Sequence, residues 1–277
     1  MKRILSIQDI SCVGQCSTTV ALPIISASGM ECAILPPAIL SNHTGGFKSW
    51  SFCDLTSQMS DIEAKWIDEG IKFDAFYTGY VCESHIKKIL SIFSTCSVPG
   101  AVSFVDPAMA DNGKLYAGFK DDFPEKMRAL ASRADYLIPN LTEAALLVDE
   151  DPLYYVERTS PLAKKDFENL IAKLHGIGAK NIVLTGVALG ESHLGVAVSD
   201  GKEIAYDFNP RLRRMSHGTG DVFASVFIGS VMRGNSLLSA AAFAADIVCE
   251  AIEATDSDHW YGVSFEKVIG KIVKGCE

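Results

Sequence analysis

The sequence predicts an α/β fold with a mostly parallel central sheet, helices on both faces and a C-terminal antiparallel edge hairpin. Two patterns carry this reading. Short apolar runs of strand length alternate with longer helical patterns up to about residue 185. Strands separated by helices make βαβ units, and right-handed crossovers then cover both sheet faces. The alternation breaks at 194–198 and 203–208, which flank Ser199-Asp200-Gly201-Lys202. Asp-Gly between two strand-like runs specifies a hairpin, which adds an antiparallel edge.

The elements follow in order. Residues 2–7 are a first strand. Residues 18–28 are a helix stopped by Gly29, and 31–35 a strand ended by Pro36-Pro37. Helices at 62–70, 83–93, 121–132 and 162–175 alternate with strands at 75–78, 101–105, 136–138 and 181–185. After the hairpin come helices at 221–232, 237–252 and 265–273. No long Pro/Ser/Gly linker, repeat or low-complexity block divides the chain, so residues 1–277 read as one domain.

Composition narrows the function. Hydrophobic residues make up 48% and charged residues 21%, which is ordinary for a folded soluble protein. Lys plus Arg number 25 against 34 Asp plus Glu, a formal net charge of −9. An acidic chain without a Lys/Arg block is poorly suited to nucleic acid, which demands phosphate neutralisation. It can still hold a small anion where local dipoles outweigh the global field. The eight cysteines, at 12, 16, 32, 53, 82, 96, 249 and 276, form no C-x-x-C, and Cys12-x-x-x-Cys16 lacks a His/Cys pair at zinc spacing. They read as small buried packing residues. Gln8 and Asp9 interrupt the apolar run after Lys2 and Arg3, so no secretory signal is expected. The Ala-rich stretch 237–252 carries Ser239, Asp246 and Glu250 and reads as a buried helix rather than a membrane span. A reducing cytoplasm is the expected setting.

In such sheets, ligands sit beyond the carboxyl ends of the strands. The segments that follow strands are therefore where chemistry is sought. Ser216-His217-Gly218-Thr219-Gly220-Asp221 opens an apolar helix. Two glycines let the backbone approach a ligand, and the helix N-terminus adds roughly half a positive charge, which makes an anion hole. The same dipole is expected to keep Asp221 ionised, ready to take a proton from a hydroxyl. A Gly-rich loop whose acidic residue merely complements the dipole explains the motif equally well. No G-x-x-x-x-G-K-[ST] occurs, and Gly218-x-Gly220 is followed by Phe223 instead of a third Gly. Asp106 and Asp111 follow a strand and suit magnesium, although Asp-Pro and Asp-Asn-Gly are also ordinary turn formers. Asn140 and Glu143 make a capping box, which doubles as a rigid mount near a metal–phosphate cluster. Ser41-Asn42-His43-Thr44-Gly45-Gly46 and Thr78-Gly79-Tyr80 offer polar groups and an aromatic to a flat ring, or are ordinary loops.

Taken in order, Ser6-Ile7-Gln8, Ser41–Gly45, Thr78-Gly79-Tyr80, Asp106-Pro107 with Asp111, Pro139-Asn140 with Glu143, Thr185 and Gly218–Asp221 resemble the ribokinase-like superfamily. Within it they resemble the pyridoxal (vitamin B6) kinases. The resemblance runs from residue 4 to about 250. It implies ATP-dependent phosphorylation of the 5′-hydroxymethyl group of pyridoxal, pyridoxine or pyridoxamine, with Mg²⁺ and a monovalent cation such as K⁺. It implies Asp221 as base and the amides of Gly218, Thr219 and Gly220 around the transferring phosphoryl. Asp106 and Glu143 would serve the metal; Asp111, Asn140 and Thr185 would serve ATP. Asp9, His43, Thr44 and Tyr80 would face the pyridine substrate. A homodimer and a small cover over the site are implied as well.

Two positions depart from that pattern. Asp9 stands where the family often has Ser, which suggests a preference for an amine or a protonated ring nitrogen. Ile138 stands where it frequently has Thr. Arg211, Arg213 and Arg214 either close on phosphates or decorate a solvated loop. Three rival readings stay open: a hydroxymethylpyrimidine kinase on the same fold, a sugar or nucleoside kinase with a larger β lid, and a non-catalytic B6-binding protein.

Overall fold

The computed structural model describes residues 1–156, 162–214 and 216–275. In chain order the strands are β1 Arg3–Ile7, β2 Ile10–Ser11, β3 Glu31–Ile34, β4 Ala38–Leu40, β5 Phe52–Asp54, β6 Phe73–Thr78, β7 Ser97–Val105, β8 Ala110–Asp111, β9 Lys114–Leu115, β10 Tyr136–Leu137, β11 Asn181–Val187, β12 His193–Ser199 and β13 Ile204–Pro210. The helices are α1 Thr18–Ala27, α2 Thr56–Asp68, α3 Glu83–Thr95, α4 Phe123–Ala131, α5 Leu141–Leu147, α6 Leu153–Val156, α7 Lys164–Gly176, α8 Thr219–Met232, α9 Leu237–Ala254 and α10 Ile269–Lys274.

Eight strands form one sheet in the order β13-β12-β11-β10-β7-β6-β1-β3. The pairs from β3 to β11 are parallel; β12 and β13 add an antiparallel edge. The central strands are apolar on both faces because helices cover both. Leu5, Phe76 and Val105 pack with α2–α7. Ile4, Tyr77 and Phe104 pack with α1, α8 and α9 on the opposite face. Burial on two sides explains why these strands read as near-continuous hydrophobic runs without alternation.

The predicted order of elements agrees with the structure, and the differences have local causes. Helix α2 begins at Thr56 instead of residue 62, because Thr56-Ser57-Gln58 gives its first turn no apolar periodicity. Strand β7 begins at Ser97 instead of residue 101. Ser97 pairs with Phe73 and Val102 with Ala75, so Pro99-Gly100 bulges out of an unbroken strand. The last predicted helix splits into a 3-10 turn, Phe265–Lys267, and α10. A three-stranded sheet, β2-β4-β5, escaped the sequence altogether, since two- and three-residue strands have no detectable period. The expectation of buried cysteines fails in part. All seven described cysteines are free thiols and only Cys96 is buried, while Cys12 and Cys53 are exposed on or beside the small sheet. Cys276 lies outside the described residues. Among the described residues no helix is long and apolar enough to cross a membrane.

The small sheet is tied to the main body by a buried histidine. His85 Nδ1 accepts the Cys82 amide at 2.9 Å, so its Nε2–H donates to Thr56 Oγ1 at 2.8 Å. Thr56 in turn donates to Asp54 at the end of β5. Burial, which outweighs the opposing pull of Asp54, holds the His85 pKa down at about 4. Unfolded histidine binds its proton near 6.5. Between those values the unfolded chain holds one more proton, so this residue's stabilisation is lost as pH falls from about 6.5 to about 4. Chemical denaturation across that window is expected to show a pH slope that His85→Gln removes; an unchanged slope in the variant would refute the assignment.

Candidate active site

The carboxyl ends of the parallel strands open into one cleft of about 730 Å³. All thirteen residues singled out from the sequence line it: Asp9, His43, Thr44, Tyr80, Asp106, Asp111, Asn140, Glu143, Thr185, Gly218, Thr219, Gly220 and Asp221. The reason is topological. Asp9 follows β1, Tyr80 follows β6, Asp106 follows β7, and Asn140 bridges to Thr185 of β11. Side chains 212 residues apart in sequence thus share one rim.

Helix α8 points its N-terminus into this cleft. Gly218 caps it in the left-handed region, with φ 78°. The first intrahelical bond runs from the Val222 amide to the Gly218 carbonyl at 3.1 Å, which leaves the preceding amides without an intrahelical acceptor. A Cβ on Gly218 would collide with the Gln15 carbonyl, whereas one on Gly220 would meet open space. Gly218 is therefore required by packing, and Gly220 keeps the mouth of the helix clear.

Opposite the helix lies a buried acidic floor. Asp106 is 9% exposed and Glu143 3% exposed. Glu143 completes the predicted capping box: Oε2 accepts the Asn140 amide at 2.9 Å and Oε1 the Met109 amide at 3.2 Å. Burial raises both carboxyl pKa values, and Asp106 is pushed further by the charges of Glu143 and Asp221. Asp221 itself is raised to about 7, chiefly by burial and then by Asp9, against the lowering effect of the Ser17 amide. Burial thus opposes the helix dipole that was expected to keep Asp221 ionised. Asp106 and Asp111 also differ from the matched pair envisaged. Asp106 is buried, whereas Asp111 is exposed and caps Asn112 through its amide and side chain.

Several predicted residues have polar atoms already engaged. Asn140 Oδ1 accepts the Glu143 amide and Nδ2 donates to the Ala110 carbonyl at 2.8 Å. Thr185 Oγ1 donates to the Pro139 carbonyl at 3.3 Å. His43 is 5% exposed; Nδ1 accepts the Gly45 amide and Nε2–H donates to the Tyr261 carbonyl at 2.7 Å. Asp9 is 4% exposed and accepts from Ser11 Oγ at 2.8 Å. Tyr80 packs its ring 5.1 Å from Phe119. Arg214 donates to the carbonyls of Thr255, Asp256 and His259, which makes it a strap between loops rather than a phosphate clamp.

Sequence reasoning missed the apolar residues that also line the cleft, Leu194, Val196, Phe223, Ala245, Val248 and Ile252. These lie on β12, α8 and α9, and nothing in their local pattern separates them from core. It also missed Cys16 and Ser17 beside Asp221, and it assigned no role to His217.

A model of the phosphomethylpyrimidine kinase family matches residues 24–264. The chain belongs to that family. A Bacteroides thetaiotaomicron structure described as a phosphomethylpyrimidine kinase, in a crystal form with pyridoxal, superimposes with a TM-score of 0.91. It is 32% identical, covering 98% of this chain and 95% of that one. Pyridoxal kinase from Lactobacillus plantarum aligns with a TM-score of 0.89 at 30% identity, covering 99% and 97%. The thiamine biosynthetic bifunctional enzyme TH1 of Arabidopsis thaliana is 27% identical over 258 residues, or 87% of this chain. The chain spans 47% of that enzyme's length. The fold of this family member is ribokinase-like and its chemistry is that of a kinase.

The two glycines of the anion hole separate fold from function. Gly220→Ala is expected to leave Tm unchanged or to raise stability by about 0.5–1 kcal/mol, since alanine suits a helix better, while kinase activity falls. Gly218→Ala is expected to lower both Tm and activity. Equal Tm losses in a melting comparison would overturn this division.

Proposed function

We propose that the chain is an ATP-dependent kinase for the 5′-hydroxymethyl group of pyridoxal, pyridoxine or pyridoxamine. In this reading residues 1–277 act as a single ribokinase-like domain, in the cytoplasm and as a homodimer. One observation carries the chemistry: a helix N-terminus holding Asp221 faces buried Asp106 and Glu143 across one cleft. The cleft has two further ends. Asp9, Thr44 and Tyr80 suit a flat polar heterocycle, and Leu194, Val196 and Val248 suit an adenine ring.

Asp221, with a pKa near 7, takes the proton of the acceptor hydroxyl as that oxygen attacks the γ-phosphoryl. The amides of Gly218, Thr219 and Gly220 receive the charge spread over the phosphoryl oxygens. The donor set tests whether magnesium fits. Among the described residues no three His, Cys, Asp or Glu form a closed metal cage. Magnesium, however, commonly uses one or two carboxylates and completes its shell with waters and phosphate oxygens. Asp106 is buried and its carboxylate has no hydrogen bond with a described side chain or backbone group, which leaves it available to a hard cation. Asp106 would therefore hold the ion, with Glu143 beside it; bound Mg²⁺ neutralises charge on the ATP phosphates. Asp111, Asn140 and Thr185 would border those phosphates, and a monovalent ion such as K⁺ would join the same cluster. Exposed Ile39 and Phe52 on the small sheet support the dimer as apolar surface for a second copy to cover.

The family match and the Arabidopsis relative favour a second acceptor, hydroxymethylpyrimidine. A coupled ADP-release assay over the three B6 vitamers and hydroxymethylpyrimidine decides between them, and ligand binding without ADP release would instead mark a non-catalytic binder. Asp9→Ser is expected to lower the pyridoxamine-to-pyridoxal ratio of kcat/KM; an unaltered ratio removes Asp9 from specificity. For Asp221→Asn, ATP binding and Tm should persist while kcat drops by about 10²–10⁴-fold. Wild-type kcat/KM should rise with pH through about 7, because the base works deprotonated. ATP affinity should fall steeply when free magnesium is chelated, and less so in Asp106→Asn. Titration calorimetry showing equal affinities with and without the ion would exclude this metal arrangement.

A further inference from the structure

His217 precedes the anion hole by one residue, and neither the mechanism nor the family reading uses it. Its ring lines the cleft together with Thr44, Gly45 and Gly218. It lies against the main chain of the loop that leads out of the Ser-Asn-His-Thr motif. A Cβ on Gly45 would stand 2.8 Å from His217 Nδ1, and one on Gly46 3.3 Å from Nε2. Two consecutive glycines thus leave room for one imidazole. No described residue hydrogen-bonds to the ring, so packing alone holds it. Behind the loop, His43 sits 5.2 Å from His217 by ring centroid and is itself locked to the Gly45 amide and the Tyr261 carbonyl. The ring therefore joins two walls that approach the cleft from opposite ends of the chain. One carries Thr44, the other the phosphoryl-facing amides and Asp221.

We propose that His217 is a positioning residue that docks loop 44–46 against the anion hole and brings the acceptor hydroxyl into register with Asp221. The proposal rests on the kinase reading for its consequence, but not for its contact. Loss of the ring leaves the loop free to drift from the helix, and a misplacement of about 1 Å can cost about 10²-fold in rate. The effect is expected on the acceptor, since Thr44 of this loop would face the pyridine, whereas Leu194, Val196 and Val248, assigned to adenine, lie on β12 and α9.

Hydrogen exchange and steady-state kinetics on the full chain test it with His217→Ala and His217→Phe. His217 is exposed, so both variants are expected to keep the wild-type Tm. In His217→Ala, amides of residues 43–47 should exchange about tenfold faster, with the remaining helices unchanged. The KM for the pyridine alcohol should rise and kcat should fall by about 10- to 100-fold, while the KM for ATP stays within twofold (about 0.4 kcal/mol). His217→Phe, a flat ring of similar shape, should restore both exchange and kcat. Unchanged exchange in His217→Ala overturns the proposal. So does a Phe variant that restores exchange but not kcat, because the imidazole would then act through a nitrogen. If the wild type phosphorylates no hydroxymethyl heterocycle, the kinase reading fails, and the exchange result still decides the loop contact.

Discussion

The site depends on the approach of one helix end to one loop. Helix α8 can place its free amides in the cleft only because Gly218 has no side chain to meet the Gln15 carbonyl. That contact brings residues 15–17 alongside the helix, where the Ser17 amide reaches Asp221. Asp9, which follows β1, lines the same cleft as these helix amides. A pocket built from loops would ordinarily be loose. This one borrows rigidity from a buried 14-residue helix that packs on the sheet through Val222, Val226 and Phe227.

The second constraint is electrostatic. Asp9, Asp106, Glu143 and Asp221 converge on the cleft, and burial raises every one of their pKa values. Such a cluster is costly to keep ionised without a cation. A triphosphate would worsen the repulsion, whereas a hard divalent ion offsets both the carboxylates and the phosphates. The negative excess of the chain is thus compatible with a polyanionic substrate. In the proposed reading attraction would come from amide dipoles and a shared metal, without a P-loop lysine.

Much of this was legible in the sequence because α/β folds put their ligands where strands end. Asp9, Tyr80, Asp106 and Asn140 each follow a strand closely, and that placement alone predicted a common rim. The small sheet was not legible, since β2, β4 and β5 are too short to show a period. The apolar lining of the cleft was hidden for the opposite reason: Val248 and Ile252 belong to a helix that is hydrophobic over most of its length. The state of Asp221 needed three dimensions, because the dipole is local and readable while desolvation comes from neighbours distant in sequence. His217 stayed invisible because its significance lies in Gly45 and Gly46, more than 170 residues earlier.

The same geometry explains how one family can serve two heterocycles. In the proposed mechanism phosphoryl transfer would use the α8 amides, Asp221 and the carboxylate floor, all of which line one cleft. In the proposed reading the acceptor ring would meet a different set, Asp9, Thr44 and Tyr80, which also line the cleft. On that reading, discrimination between a pyridine and a pyrimidine would come from this second set. There a buried carboxylate at Asp9 favours a ring or substituent that carries an N–H. The two sets are coupled at one point, because the charge of Asp9 helps to raise the pKa of Asp221, so a change of acceptor specificity at Asp9 would also be felt by the proposed base.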